Sequence, residues 1–333
     1  LGASGSRTSQ RLTIRCHQSM TTMFPQSVKK LLTAMNLRWF LLALYSLAFV
    51  ISFAQNGLPV ARMAVLGWVS AAFIIGNVGK PRRKQLQMIG DLVFYACMWL
   101  SYDFSRGIAD SFGFPLQVEM PRNIDKTLFF GHDPNTWMQQ QLWNKNIQWY
   151  DVYGSIIYFT HFFVPVATSV YLWIRYRDQW VRYIRRFATV LFAGVATYVV
   201  MPTVPPWMAS STKFDYQILE PLQRSTGRGW SWLGLETVSS VLLRGQQWAN
   251  PTAALPSLHA AFALFVVVFF WKKMSNKWVR YSSLLFPLSM AWCLVYFGEH
   301  YVTDILAGWA YVSASFWFWN RWEAKRQVAE PLT

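Results

Sequence analysis

Apolar residues in this chain do not alternate with polar ones at a helix or strand period. They gather in unbroken runs separated by short polar and charged stretches. Eight runs stand out, at about 39–54, 60–78, 86–104, 152–174, 187–202, 256–271, 280–297 and 301–319. Runs of about 16–22 residues suit a bilayer core of about 30 Å. A lipid-embedded backbone has to satisfy its own N–H and C=O groups, which a helix does within one segment. The expected fold is therefore all-α: a polytopic transmembrane bundle of about eight spans.

The polar stretches set the orientation. Placed alternately on two sides, residues 1–38, the Lys80-Pro81-Arg82-Arg83-Lys84 run, 175–186, 272–280 and 320–333 share one side and carry 22 Lys/Arg against 3 Asp/Glu. The remainder carries 9 basic and 12 acidic residues. A basic excess in short loops marks the cytoplasmic side. Both termini are thus expected in the cytoplasm, with the long loops 105–151 and 203–255 outside. The same distribution argues against nucleic acid as the partner of the +16 net charge, since that would need a basic face on one soluble domain.

Composition agrees: 53% of the 333 residues are hydrophobic and only 14% charged, against about 25% charged in soluble chains. Mean hydropathy is +0.19. Three cysteines, Cys16, Cys97 and Cys293, exclude a disulfide scaffold. The expected organisation is a flexible basic tail (1–38), accessory transmembrane helices (39–85), a catalytic membrane domain (86–319) and a cytoplasmic C-terminal tail (320–333).

Candidate chemistry rests on two of five histidines. Pro256-Ser257-Leu258-His259 opens the sixth run, with Pro fitting a first helical turn and Ser a cap. A helix N-terminus there favours an anion such as phosphate. His300 lies in the turn between the last two runs, and Asp304 follows at i+4, which predicts a shared helix face. A carboxylate on one imidazole nitrogen fixes the tautomer and makes the other nitrogen a better nucleophile. Both histidines are expected at one membrane depth. His161, well inside the fourth run, is a candidate for lining a cavity, as polar groups at such depth often do. Two His and an Asp can also hold a metal, but the sequence offers no third His or Cys nearby.

At these residues the chain resembles the type 2 phosphatidic acid phosphatase (PAP2) superfamily. Pro256-Ser257-Leu258-His259-Ala260-Ala261 and His300-Tyr301-Val302-Thr303-Asp304 look like its second and third signature motifs. Pro202-Thr203-Val204-Pro205-Pro206-Trp207, Tyr102-Asp103-Phe104-Ser105-Arg106-Gly107 and Asp125-Lys126-Thr127-Leu128-Phe129-Phe130-Gly131 are similar to its inositol phosphorylceramide synthase branch. The resemblance covers roughly 95–315 and implies a six-helix core. It implies that His300 attacks phosphorus to form a phosphohistidine, His259 protonates the leaving oxygen and Asp304 orients His300.

Two departures bear on the reaction. Met201, not Arg, precedes Pro202, and Cys293-Leu294 stand where the phosphatases carry Ser-Arg. A phosphoryl group still needs compensating charge, for which Arg106 is the favoured candidate among outward cations that include Arg224. Asp103 is a candidate to pair with Arg106 or bind an acceptor hydroxyl, and Ser257 and His161 to touch substrate. The expected activity is transfer of a (polyol-)phosphoryl group between a lipid and an alcohol at the outer face of the plasma membrane. No cofactor or metal is expected. The alternatives are a lipid phosphate phosphatase using water and a transporter or flippase using Asp91, Asp103 and His161. A glycosyltransferase with Asp125 or Asp133 as base leaves the paired His motifs unexplained.

Overall fold

The structure is a computed structural model that describes residues 26–56, 62–107, 109–214, 216, 218, 220–235 and 252–329. It is all-helical: α1 (Gln26–Asn56), α2 (Arg62–Gly76), α3 (Arg82–Gly107), α4 (Met120–Leu128), α5 (Pro134–Leu142), α6 (Trp149–Arg175), α7 (Arg177–Val200), α8 (Leu258–Phe270), α9 (Lys277–Ser282), α10 (Leu285–Tyr296) and α11 (Val302–Ala329), with a few shorter turns. They form two compact units, Leu1–Cys97 and Met98–Thr333.

Each apolar run is helical over most of its length, and among the described residues three helices are long and apolar enough to cross a membrane by length and composition: Met35–Gln55, α6 and α7. The ends differ from expectation for physical reasons. The helix expected at 187–202 begins at Arg177, because Arg186 is neutralised inside the protein by Glu323 and also donates to the Asn320 side chain. A charged residue there does not end a helix. The run 256–271 yields only the 13 residues of α8, since Ser257 is the cap and Pro256 precedes it rather than opening the first turn. The run 280–297 is broken at Ser283-Leu284 between α9 and the 12-residue α10. At 1.5 Å per residue α8 and α10 are about 20 Å long or less.

In the first unit, α1 packs on α2 through Tyr45 and Phe49 against Trp68, and the Tyr45 hydroxyl donates to the Trp68 carbonyl at 3.1 Å. Trp39, Phe40, Leu44, Leu47 and Val50 stay exposed on α1, as lipid-facing side chains would.

In the second unit, α8 packs against α6, α7, α10 and α11. It is apolar all round, as a central helix should be, and Ala260, Ala261 and Phe265 are fully buried. Gly308 of α11 lies so close to the Ser257 carbonyl that a Cβ would collide with it. The connections are ordered by hydrogen bonds rather than by bulk. Gln117, Thr203 and Ala253 pair as isolated parallel bridges, through Val204 N–H to Gln117 C=O and Ala254 N–H to Thr203 C=O. This clasp holds the two long loops against the end of the bundle where α8 and α11 begin.

Candidate active site

Ser257 accepts the Ala260 N–H at 3.3 Å and so places His259 at the second helical position of α8. The Ser257 backbone N–H donates to the Asp304 carbonyl at 2.8 Å, which ties the start of α8 to the start of α11. Ser257 is fully buried and its role in the geometry is this tie.

His300 lies just before α11 rather than on it. α10 ends in a turn at Gly298, whose φ of +69° is open to glycine without cost. The Glu299 and His300 N–H groups both donate back to the Leu294 carbonyl, at 3.0 and 3.3 Å. Asp304, the third residue of α11, folds back and accepts the Tyr301 N–H at 3.0 Å, half of a capping box. The same oxygen lies 3.3 Å from His300 Nδ1. The pairing therefore comes from a helix cap, not from two residues on one helix face as the i+4 spacing predicts.

The two histidines meet. His259 Nδ1 is 3.3 Å from His300 Nε2, giving a chain His259–His300–Asp304. His300 is 5% exposed and Asp304 fully buried. His161 joins them: its ring is centred 4.0 Å from that of His259, and Tyr158, one turn away on α6, stacks on the same imidazole at 5.0 Å. A third histidine thus comes near, contrary to the reading from sequence. It meets His259 ring to ring, and among the described residues no three His, Cys, Asp or Glu are arranged to hold a metal ion. Asp103 and Arg106 lie in the last turns of α3, and their side chains fall outside what the structure describes.

Three residues with no catalytic signature hold the histidine turn. Asn135, fully buried, donates to the carbonyls of Val295 and His300 at 2.9 and 3.0 Å. Gln139 donates to Tyr296 C=O at 2.7 Å. Asp125 accepts the Val302 and Thr303 N–H groups, both at 2.8 Å, and the Thr303 hydroxyl, capping α11 from outside. Burial raises the Asp125 carboxyl from 3.8 to about 6, against these hydrogen bonds, which pull the other way. The sequence signal for Asp125 was its place in the synthase-like segment, where it read only as a rival base. Nothing marked the two amides. Arg224 forms a two-pronged pair with Glu299 at 2.8 and 3.1 Å and lies over the Trp207 ring at 4.2 Å. Glu299 adjoins His300, so this pair sets Arg224 beside the histidine turn.

A phosphoinositol dihydroceramide synthase of Bacteroides thetaiotaomicron is 29% identical over 237 residues, 69% of this chain and 75% of that protein. No solved structure matches. Residues 123–318 match the PAP2 superfamily. That stretch is more than half of the sequence and contains both histidines and Asp304, and the chain belongs to the PAP2 superfamily.

Proposed function

We propose that this protein is a membrane phosphotransferase that moves a polyol-phosphoryl group from a phospholipid to a lipid alcohol through a phosphohistidine. The observation that carries the reading is the contiguous chain His259–His300–Asp304. Asp304 accepts from Nδ1–H of His300 and leaves the Nε2 lone pair for phosphorus. His259, whose Nδ1 faces that nitrogen, gives its proton to the departing alcohol as the P–O bond breaks and the N–P bond forms. In the second half His259 takes the proton of the acceptor hydroxyl. That oxygen then attacks phosphorus and the N–P bond breaks. The positive end of the α8 dipole favours the phosphoryl charge, and Arg106 is the cation we assign to it, with Arg224 the second candidate.

The relative's name guides the choice of substrates. A phosphoinositol group and a ceramide-type alcohol are the donor portion and acceptor we assign, and the two absent phosphatase cations favour transfer over hydrolysis. Eight spans, a six-helix core, both termini in the cytoplasm, an outer-face site in the plasma membrane and independence of metal complete the reading. Tyr158 and His161, which pack on His259, are the residues we assign to the acceptor side.

Purified protein in lipid nanodiscs, given phosphatidylinositol and dihydroceramide, should yield phosphoinositol dihydroceramide and diacylglycerol by mass spectrometry. Turnover should persist in EDTA and be absent in His300→Ala. Release of inositol phosphate into water without transfer would make it a hydrolase. Activity lost to EDTA and restored by zinc or magnesium would replace the imidazole mechanism with a metal one.

A further inference from the structure

A surface cleft lies away from the histidines. It has a volume of about 330 Å³ and lies between the first turns of α7 and the last turns of α11, lined by Asp178, Arg182, Arg185, Trp322, Glu323 and Arg326. The histidine pair stands at the other ends of these helices: Tyr198, near the end of α7, donates to the Pro256 carbonyl, and Asp304 opens α11. From Asp304 to Trp322 or Arg326 the helix rises about 30 Å, the thickness of a bilayer core. The cleft and the histidine pair are therefore a full bilayer core apart, at the level of opposite leaflets.

Its charges are arranged to leave cations over. Glu323 is taken up by Arg186, which is buried and meets both carboxylate oxygens at 3.0 Å, and by Arg182 at 3.6 Å. Arg185 and Arg326 flank Trp322, their guanidinium carbons 5.5 and 4.0 Å from its ring centre, and Arg185 also lies over Trp319 at 5.7 Å. A guanidinium resting on an aromatic ring uses its face and keeps its N–H edge for a planar or tetrahedral oxyanion. Both arginines are exposed. The adjoining surface carries Trp317, Phe318, Arg321 and Lys325. Indole rings beside basic residues at the end of a long apolar helix fit the level of lipid headgroups, and basic pockets between helices at that level take anionic ones.

We propose that this cleft binds the phosphate of an anionic phospholipid in the leaflet opposite the histidine pair, with Arg185 and Arg326 as its ligands and Trp322 as the platform between them. The site is independent of the reaction assigned above. A lipid is favoured over a soluble anion because Trp317 and Phe318 extend the basic surface with exposed apolar rings, which a soluble phosphate would not use.

The test is native mass spectrometry of the full chain in detergent, titrated with phosphatidylglycerol, phosphatidylcholine or inorganic phosphate. We expect phosphatidylglycerol to be retained at least about tenfold more tightly than phosphatidylcholine. That preference should fall by about tenfold or more in Arg185→Gln/Arg326→Gln and persist in Lys213→Gln, an exposed cation elsewhere. Arg326→Gln alone, in an exposed final turn, should show a smaller loss in the same direction and serves if the double variant does not fold. Equal retention of the two lipids by the wild type, or an unchanged preference in both variants, would overturn the proposal. Displacement of phosphatidylglycerol by equimolar inorganic phosphate would also overturn it, by making the site one for a soluble anion.

Discussion

His259 and His300 are chemically identical side chains with different neighbours. His300 has a carboxylate at Nδ1, whereas His259 lies between His161, Tyr158 and the Nε2 of His300. In the mechanism proposed above His300 is the nucleophile and His259 the proton donor, and the difference predicts separable failures. His300→Ala should abolish turnover and any phosphoenzyme trapped by acid-free quench. His259→Ala should lose about 10²–10⁴-fold on a lipid substrate, because an alkoxide leaves poorly without a proton. An aryl phosphodiester needs little protonation, so it should recover most of that loss in His259→Ala and none in His300→Ala. Base-stable, acid-labile phosphate found on His259 instead would exchange the two roles.

The chain of groups works only if α8 and α11 start in register, and the elements show what holds them. Ser257 caps one helix while binding the backbone of the other, and Gly308 leaves room for that approach. Gly308→Ala should therefore lower thermal stability by about 1–3 kcal/mol and cut kcat more than KM, since the obstacle is a backbone carbonyl. Gly194→Ala meets only the side chain of Leu258, which can turn aside, and should cost less on both measures. Asp125 supplies the second restraint. Its folded value of about 6 lies above the ordinary 3.8, so the native state holds its proton more firmly than the unfolded chain does. That contribution is complete below about pH 4 and is lost as pH rises through 6. An amide does not titrate. The stability advantage of wild type over Asp125→Asn should thus shrink between pH 4 and 7 and then level off. Melting curves in detergent across that range check it, and an advantage that grows with pH would show that the hydrogen bonds outweigh burial.

At the scale of the whole molecule, the sequence was most legible where bilayer chemistry leaves a chain few choices. Unbroken apolar runs gave the helices, and two histidine motifs gave groups that lie together. What it hid depends on pairing across long separations. Arg186 reads as the edge of a span until Glu323, 137 residues away, neutralises it. Asn135 is an ordinary loop amide until the carbonyl of His300 reaches it. The Trp322 cleft draws its two arginines from different helices and no local spacing announces it. Orientation in the membrane rests on charge asymmetry alone, and so it yields a direct prediction. Single cysteines at Lys84 and Lys277 sit among 22 of the 31 basic residues assigned to one side, whereas one at Lys213 belongs to the long loop that closes over the histidine end. In sealed vesicles of known polarity, with Cys16, Cys97 and Cys293 present in every variant and the unsubstituted protein as background, an impermeant maleimide should label the cysteine at 213 from the extracellular side. Those at 84 and 277 should react only after the membrane is permeabilised. The charge counts of the two sides make this ordering the low-energy one, because moving the basic loops outward would place them against the potential that draws cations in. Labelling of 277 from outside would move the histidine pair to the cytoplasmic face and the Trp322 cleft to the outer leaflet, and with them the side from which each lipid is drawn.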